Sequence, residues 1–448
     1  MQSQEGPPAR APGVVRRWLA PPWMTRDVAI VTWARVPMSA ARALGGIATP
    51  IYLALLGFSA VRLGVLFLAI AAVSTLLSTA VGLLSDRFGR RPFLVGLPLL
   101  AAGAGVVFSL RVPEAALWLA AMVGTLGRGA GAGGGVVGPY YPAEQALAAD
   151  HTAAGYRNAV FGRLAFSSAI GGLGGALLAQ LAGSHHPAGV AAVATFRPVY
   201  IAVAALAASS GIAALWLSPE PRRLPEPGRT FLPRRSLGLL VRLWVTNGVN
   251  GIAVGMFAPF ITYWFFVRFG AGAGTIGRLY AVINLVTMAS ILSAARVARR
   301  LGLVRTIIGG RIVQAILLIP MALAPSFTLA GAIYLLRMIA QRLSMPLRQS
   351  FVMAAADPAE RGSVAALSNI PSQATSASSP ALAGFLFEHV SLALPFELAG
   401  GLQLLNAILF YAFFRGTIPD EERLVAAAPP EPVEGGTGPP ADAEGGVP

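Results

Sequence analysis

Arg42, Arg128 and Arg337 each fall near the middle of a long apolar run. A guanidinium at such a depth costs about 2.5–3.5 kcal/mol by insertion scales, so it has to face a wet cavity or a partner. Its planar fork of donors suits a carboxylate or phosphate, which it binds bidentately. No acid, lysine or histidine falls near mid-depth beside these arginines. The three therefore read as an electropositive pocket for a small anion; for Arg128 and Arg337 the other reading is a brace that donates to backbone carbonyls. Asn247 and Asn250 could orient a substrate, with Tyr263 further along the same run. Trp264 reads as part of an interfacial aromatic belt. Gln341 and Arg342 are weaker candidates.

A proton-coupled carrier needs a titratable group reachable in turn from both sides of the membrane. The acids toward one end of the runs are Asp27, Asp86 and Glu144, and toward the other Glu114, Glu388 and Glu397. Glu144, in Tyr140-Tyr141-Pro142-Ala143-Glu144-Gln145, is a candidate proton site beside Asp86 and is expected in a polar loop over 138–157. Asp86 sits in a knot of charge, Gly82-Leu83-Leu84-Ser85-Asp86-Arg87-Phe88-Gly89-Arg90-Arg91. Gly82 and Gly89 are expected to let backbones approach closely. A helix terminus and Arg87, Arg90 and Arg91 can hold Asp86 ionised, which makes it a latch more readily than a proton carrier. The four histidines, at 151, 185, 186 and 389, make no metal set, and no cofactor is implied.

These residues are carried by apolar rods. The chain has 448 residues, 55% hydrophobic and 12% charged, with mean hydropathy +0.66, too little charge to cover a soluble domain. A net charge of +15 could suggest nucleic acid, but the arginines recur in short clusters between apolar runs and form no single basic face. With no cysteine, disulfides and thiol chemistry are excluded. No phosphate-cradling Gly-Lys-Ser/Thr loop is present, so ATP-driven pumping is not expected. Spans are expected at about 32–56, 61–84, 92–110, 115–137, 159–182 and 197–217. A second set follows at about 238–266, 275–295, 304–323, 327–347, 364–387 and 393–414. Residues 1–26 read as an N-terminal arm, 218–236 as a Pro- and Arg-rich linker between bundles 27–217 and 237–415, and 416–448 as a disordered tail. Arginine-rich loops after the even spans place both termini in the cytoplasm.

An internal repeat supports the division. At an offset of 209, Pro50 falls on Pro259, Arg90-Arg91 on Arg299-Arg300 and Arg128 on Arg337, and small slips put Gly57 and Gly64 on Gly270 and Gly277. The position of Asp86 is Ala295, so the second copy of the knot is degenerate.

The pattern G-x-L-x-D-R-x-G-R-R at Gly82–Arg91, between a second and a third span, resembles the signature loop of the major facilitator superfamily of secondary transporters. Arg128 followed by glycines is similar to that family's fourth-helix motif. Gly171-Gly172-Leu173-Gly174-Gly175 stands where its antiporter motif would lie, with Gly171 in place of the motif's proline, and Ser379-Pro380 to Gly384 looks like its repeat. The resemblance implies an all-α membrane protein of twelve helices in two pseudo-symmetric six-helix bundles, with a cavity lined by the first, fourth, seventh and tenth. Arg42 is then the strongest ligand candidate, since no scaffold motif claims it. The function implied first is efflux of small organic molecules coupled to protons, from a monomer in the plasma membrane. The alternatives are an organic-anion or phosphate-ester carrier using the arginines, and a non-transporting sensor or scaffold.

Overall fold

The computed structural model describes residues 21, 24–127, 138–153, 156–183, 189–219, 234–301, 303–357 and 360–415. In chain order the helices are α1 (Arg26–Leu55), α2 (Ala60–Phe88), α3 (Arg91–Ser109), α4 (Glu114–Gly124), α5 (Tyr141–Asp150), α6 (Arg157–Leu178) and α7 (Val190–Ala214). There follow α8 (Leu237–Phe257), α9 (Ile261–Phe269), α10 (Ala273–Leu301), α11 (Leu303–Ile316), α12 (Leu318–Leu323) and α13 (Phe327–Ala355). The last are α14 (Arg361–Ser368), α15 (Ile370–His389) and α16 (Leu394–Phe414). Among the described residues, eight helical stretches are long and apolar enough to cross a membrane.

The starts are set by local chemistry. The hydroxyls of Thr25, Ser59 and Ser326 accept from the backbone N–H three residues on, capping α1, α2 and α13. The charged knot is shorter than its sequence suggests, because α2 runs helical through Phe88 and only Gly89-Arg90 turns, with Gly89 at φ 83°. Gly82 does not bring backbones together as expected: nothing lies within 4 Å of where its Cβ would stand.

The fourth expected span corrects in two ways. Its helix stops at Gly124, where Thr125 caps it in a left-handed conformation at φ 50°. A further helix, α5, lies inside the expected polar loop. Residues 128–137 of the expected span lie outside the described residues. Elsewhere, α8 and α9 are joined through a 3₁₀ turn at Ala258–Phe260, and Asn369 separates α14 from α15.

Helices α1 to α7 pack chiefly on one another, as do α8 to α16. Two main seams join the groups, α2 against α15 and α10 against α6, with smaller contacts of α1 on α9 and α10. Under the repeat α2 corresponds to α10 and α6 to α15, so the seams are copies of each other. Both lie at the face opposite the one where α1 begins and α16 ends. A Cβ on Gly64 would stand 2.5 Å from the Pro380 carbonyl oxygen, and one on Gly384 or Gly277 would collide with the carbonyl of Ala60 or Ala176. Backbone meets backbone there, as small residues permit in membrane helices. The Val61 N–H also donates to Glu388 at 2.8 Å across the first seam. At the terminal face, among the described residues, Arg90 meets Asp150 at 2.7 Å, Arg91 donates to the Leu215 carbonyl at 2.6 Å, and Glu360 accepts from Arg235 and Ser236 at 3.0 and 2.8 Å, each contact within one group.

Two outcomes follow. Gly64→Val or Gly277→Val should wedge a seam apart; a single cysteine introduced at that face, in a chain that has none, should then react several-fold faster with an impermeant maleimide, and an unchanged rate counts against the seam. Glu388, one residue past the apolar run, has its carboxyl held below the usual range, first by the Val61 N–H and then by Ser59. A lowered carboxylate pKa stabilises the folded contact above the unfolded value and loses that contribution as pH falls through the folded one. Acidifying that face should therefore raise labelling in the native chain, and the pH response should vanish in Glu388→Gln.

Candidate functional site

On α1 the residues Arg35 and Arg42 are two turns apart and so share one face. Arg35 is 4% exposed and pairs directly with Glu144, itself 2% exposed. The Arg35 Nε donates to Ser168 Oγ at 2.6 Å, Ser168 lies 3.2 Å from Ser39 Oγ, and the guanidinium sits 5.5 Å from the Tyr141 ring centroid. One ion pair thus ties α1, α5 and α6 together. Glu144 is a buried helical residue, which corrects its expected place in a loop. Beside it a void of about 20 Å³, lined also by Tyr140 and Ser210, is large enough for one water. Arg42, further along α1, donates to Thr125 Oγ1 at 3.2 Å, at the break below α4. Arg128 lies outside the described residues, and so does the Asp86 side chain.

In the second group Arg337 on α13 is 1% exposed. Its guanidinium carbon stands 4.2 Å from the Phe257 ring centroid, Nη1 donates to Gln341 Oε1 at 3.4 Å, and Nε and Nη2 have no hydrogen-bond partner. Cation–π contact with a ring face partly replaces the missing hydration. Asn247 is engaged at both ends of its amide, donating to the Ser368 carbonyl at 2.7 Å and accepting from Arg348 Nη1 at 2.8 Å. Asn250, one turn on, lines a cavity of about 180 Å³ between α8, α11 and α13. Tyr263 is half-buried near the far end of this group, its ring 5.9 Å from that of Phe260. Trp264 corrects the belt expectation. It is fully buried, packed on Phe265, Phe269 and Phe396, because the apolar cluster between α9 and α16 claims it.

The arginines and asparagines expected together are therefore divided, Arg42 with Thr125 in the first group and Arg337, Asn247 and Asn250 in the second. In the knot, Arg87 is exposed against Phe88 while Arg90 is buried on Asp150. Three buried or half-buried cations were not singled out from the sequence: Arg35, Arg311 and Arg348. The signal for Arg311 was there, a lone arginine inside an apolar run, as for Arg42. Among the described residues no group of three or more His, Cys, Asp or Glu could hold a metal.

Two groups of membrane-length helices joined by duplicated seams, with buried guanidinium groups within each, match a known family. The model of the Major Facilitator Superfamily covers residues 31–244 and again 243–438. The chain belongs to this superfamily. It is similar to the MFS-type transporter YceJ of Bacillus subtilis (strain 168), at 28% identity over 136 residues, 30% of this chain and 35% of that one; it thus spans about a third of that relative's length. Among solved structures it resembles the nucleoside transporter NupG, with TM-score 0.67 and 13% identity over 87% of this chain and 100% of that one. It also resembles an inward-facing bacterial homologue of the human lysosomal transporter Spinster, with TM-score 0.64 and 14% identity over 88% and 96%. The human organic anion transporter MFSD10 (TETRAN) follows at TM-score 0.59 and 18% identity over 87% and 100%. These likenesses establish the fold. Among the described residues the regular structure is all helical, and its apolar helices make this an integral membrane protein.

The buried pair makes a quantitative prediction. Glu144→Ala or Arg35→Ala alone leaves a charge buried and unmatched and should cost about 3–5 kcal/mol. The double change Arg35→Met/Glu144→Leu should cost far less than the sum, because it removes both charges. Denaturation in detergent micelles of the three variants checks this; additive losses would show that the two side chains act independently.

Proposed function

We propose that this chain is a secondary carrier of twelve crossings, six in each bundle, working by alternating access on a small organic anion. We further propose that the Arg35–Glu144 pair is its proton site. The observation that carries the substrate reading is one of charge: from Ser236 to Ala356 the chain has eleven arginines and no aspartate, glutamate or histidine. Among the described residues no protein group satisfies two nitrogens of the buried Arg337 in this stretch, which an anion or another acceptor from outside would complete. The same observation favours the anion reading over transport of cations or neutral solutes. In this proposal Arg42, Arg128, Arg337, Asn247, Asn250 and Tyr263 are the substrate-facing set, and Gly82, Asp86, Arg87 and Gly89 to Arg91 belong to the latch.

Support for the proton site comes from Glu144, a buried carboxyl whose Arg35 partner is also held by Ser168. Protonation releases the pair and leaves Arg35 free to bind elsewhere, which couples one proton to a local rearrangement. The seams closed at one face and the within-group contacts at the other fit a conformation open toward the terminal face. With both termini cytoplasmic this is inward-open, and outward transport in exchange for protons across the plasma membrane is the direction the resemblance implies. A monomer suffices, since each bundle supplies half of the proposed site.

Uptake of labelled small anions into proteoliposomes, with and without an imposed pH gradient, tests the proposal. Native protein should accumulate an anion when the gradient is present; Glu144→Gln, which keeps an acceptor for Arg35, should lose gradient-driven accumulation but retain exchange of label between equal pools. Accumulation intact in that variant removes the proton role. Binding without any flux would favour a sensor or scaffold.

A further inference from the structure

The cavity of about 180 Å³ between α8, α11 and α13 is lined by two arginines, Arg311 from α11 and Arg348 from α13, with Gln314, Gln341, Ser344 and Asn250 around them. Neither arginine belongs to the set proposed above. Arg311 is 8% exposed, its guanidinium carbon stands 4.7 Å from the Phe410 ring centroid, and its Nη1 has no hydrogen-bond partner. Arg348 is fixed from behind, Nη1 on Asn247 Oδ1 at 2.8 Å and Nη2 on Asn369 Oδ1 at 3.3 Å. Gln341 connects the cavity to Arg337, from which it accepts at 3.4 Å.

Two guanidinium groups lining one small space repel each other, and the ring and amides that hold them are neutral. A carboxylate is the usual remedy, yet none exists in the sequence from Ser236 to Ala356. Nor can either group shed its charge, since arginine stays protonated in proteins. Burying cations in this way without a counter-charge is costly unless something mobile supplies one. Both heads are held in place, by Phe410 and by two asparagines, so little side-chain entropy remains to be lost when an anion arrives.

We infer that this cavity is a binding site for a dianionic oxyanion head, of the phosphate or phosphate-monoester class, with Arg311 and Arg348 as its two forks. A tetrahedral head has enough oxygens to accept from both guanidinium groups and from the amides of Gln314 and Asn250, and its charge of about two at neutral pH cancels theirs. The site rests on the anion reading of the carrier and gives it a location. It also adds α11 to the elements that touch the substrate, whereas the first, fourth, seventh and tenth spans were those expected to do so.

The test uses the full chain in nanodiscs of phosphatidylcholine, titrated with inorganic phosphate and followed by calorimetry and by melting temperature, with chloride at matched ionic strength as control. Phosphate should bind and raise the melting temperature. Arg311→Gln and Arg348→Gln should each weaken it by about tenfold or more, the loss of one charge-assisted contact. Arg311→Lys, which keeps the charge but not the fork, should fall between and guards against a merely misfolded Gln variant. Phosphate affinity unchanged in both Gln variants, or no phosphate binding by native protein, overturns the site. If phosphate binds through Arg311 while no anion crosses in proteoliposomes, the site stands and the carrier reading fails. If anions cross and only Arg337→Gln stops them, the carrier reading stands and the site fails. Repeating the titration in discs containing phosphatidic acid separates sources: a melting temperature already raised there, with soluble phosphate unable to raise it further, assigns the phosphate head to lipid.

Discussion

A membrane interior supplies no water to answer a charge, and this chain places arginines there repeatedly. Each has to be answered by protein, ligand or a wet cavity, and the two halves answer differently. In the first, Arg35 meets Glu144 and two serine hydroxyls stand beside the pair. In the second no carboxylate is available over 121 positions from Ser236 to Ala356. Arg337 and Arg311 are laid against the rings of Phe257 and Phe410, and Arg348 is held by asparagine side chains. Ring faces and amides lower the cost of burying a cation without cancelling its charge. The remainder is a standing attraction for anions.

This asymmetry is built on a symmetric frame. The seams between α2 and α15 and between α10 and α6 are related by the internal repeat, and at both a glycine lets one backbone rest on another. On this duplicated frame the charges are unequal: the first half buries an arginine paired with a carboxylate, and the second buries arginines against rings and amides.

Much of the frame was legible because apolar runs of membrane length, separated by arginine clusters, leave little choice of fold. The knot at Gly82–Arg91 carries the resemblance to the superfamily, and the ordered matches at an offset of 209 carry the two-fold division. What was lost was local. The break after Gly124 needed the left-handed Thr125, and a β-branched residue in that conformation is not something periodicity reveals. Glu144 read as a loop residue because its decapeptide helix is too polar to look like a span, and its partner Arg35 lies 109 residues away. Trp264 read as a belt residue because aromatic composition cannot tell a lipid boundary from a packed aromatic cluster. Arg311 stands alone inside an apolar run and Arg348 reads as part of a loop cluster that sets topology, but that the two line one cavity is not legible, since three separate helices build it.

The most direct measurement of the central claim is charge selectivity at fixed size. Benzoate, benzamide and benzylamine differ little in shape, and their flux into proteoliposomes can be followed with label at zero pH gradient and matched ionic strength. Saturable, protein-dependent flux of benzoate is expected, with little of the amide and none of the amine. Flux of the amine with none of benzoate would contradict it.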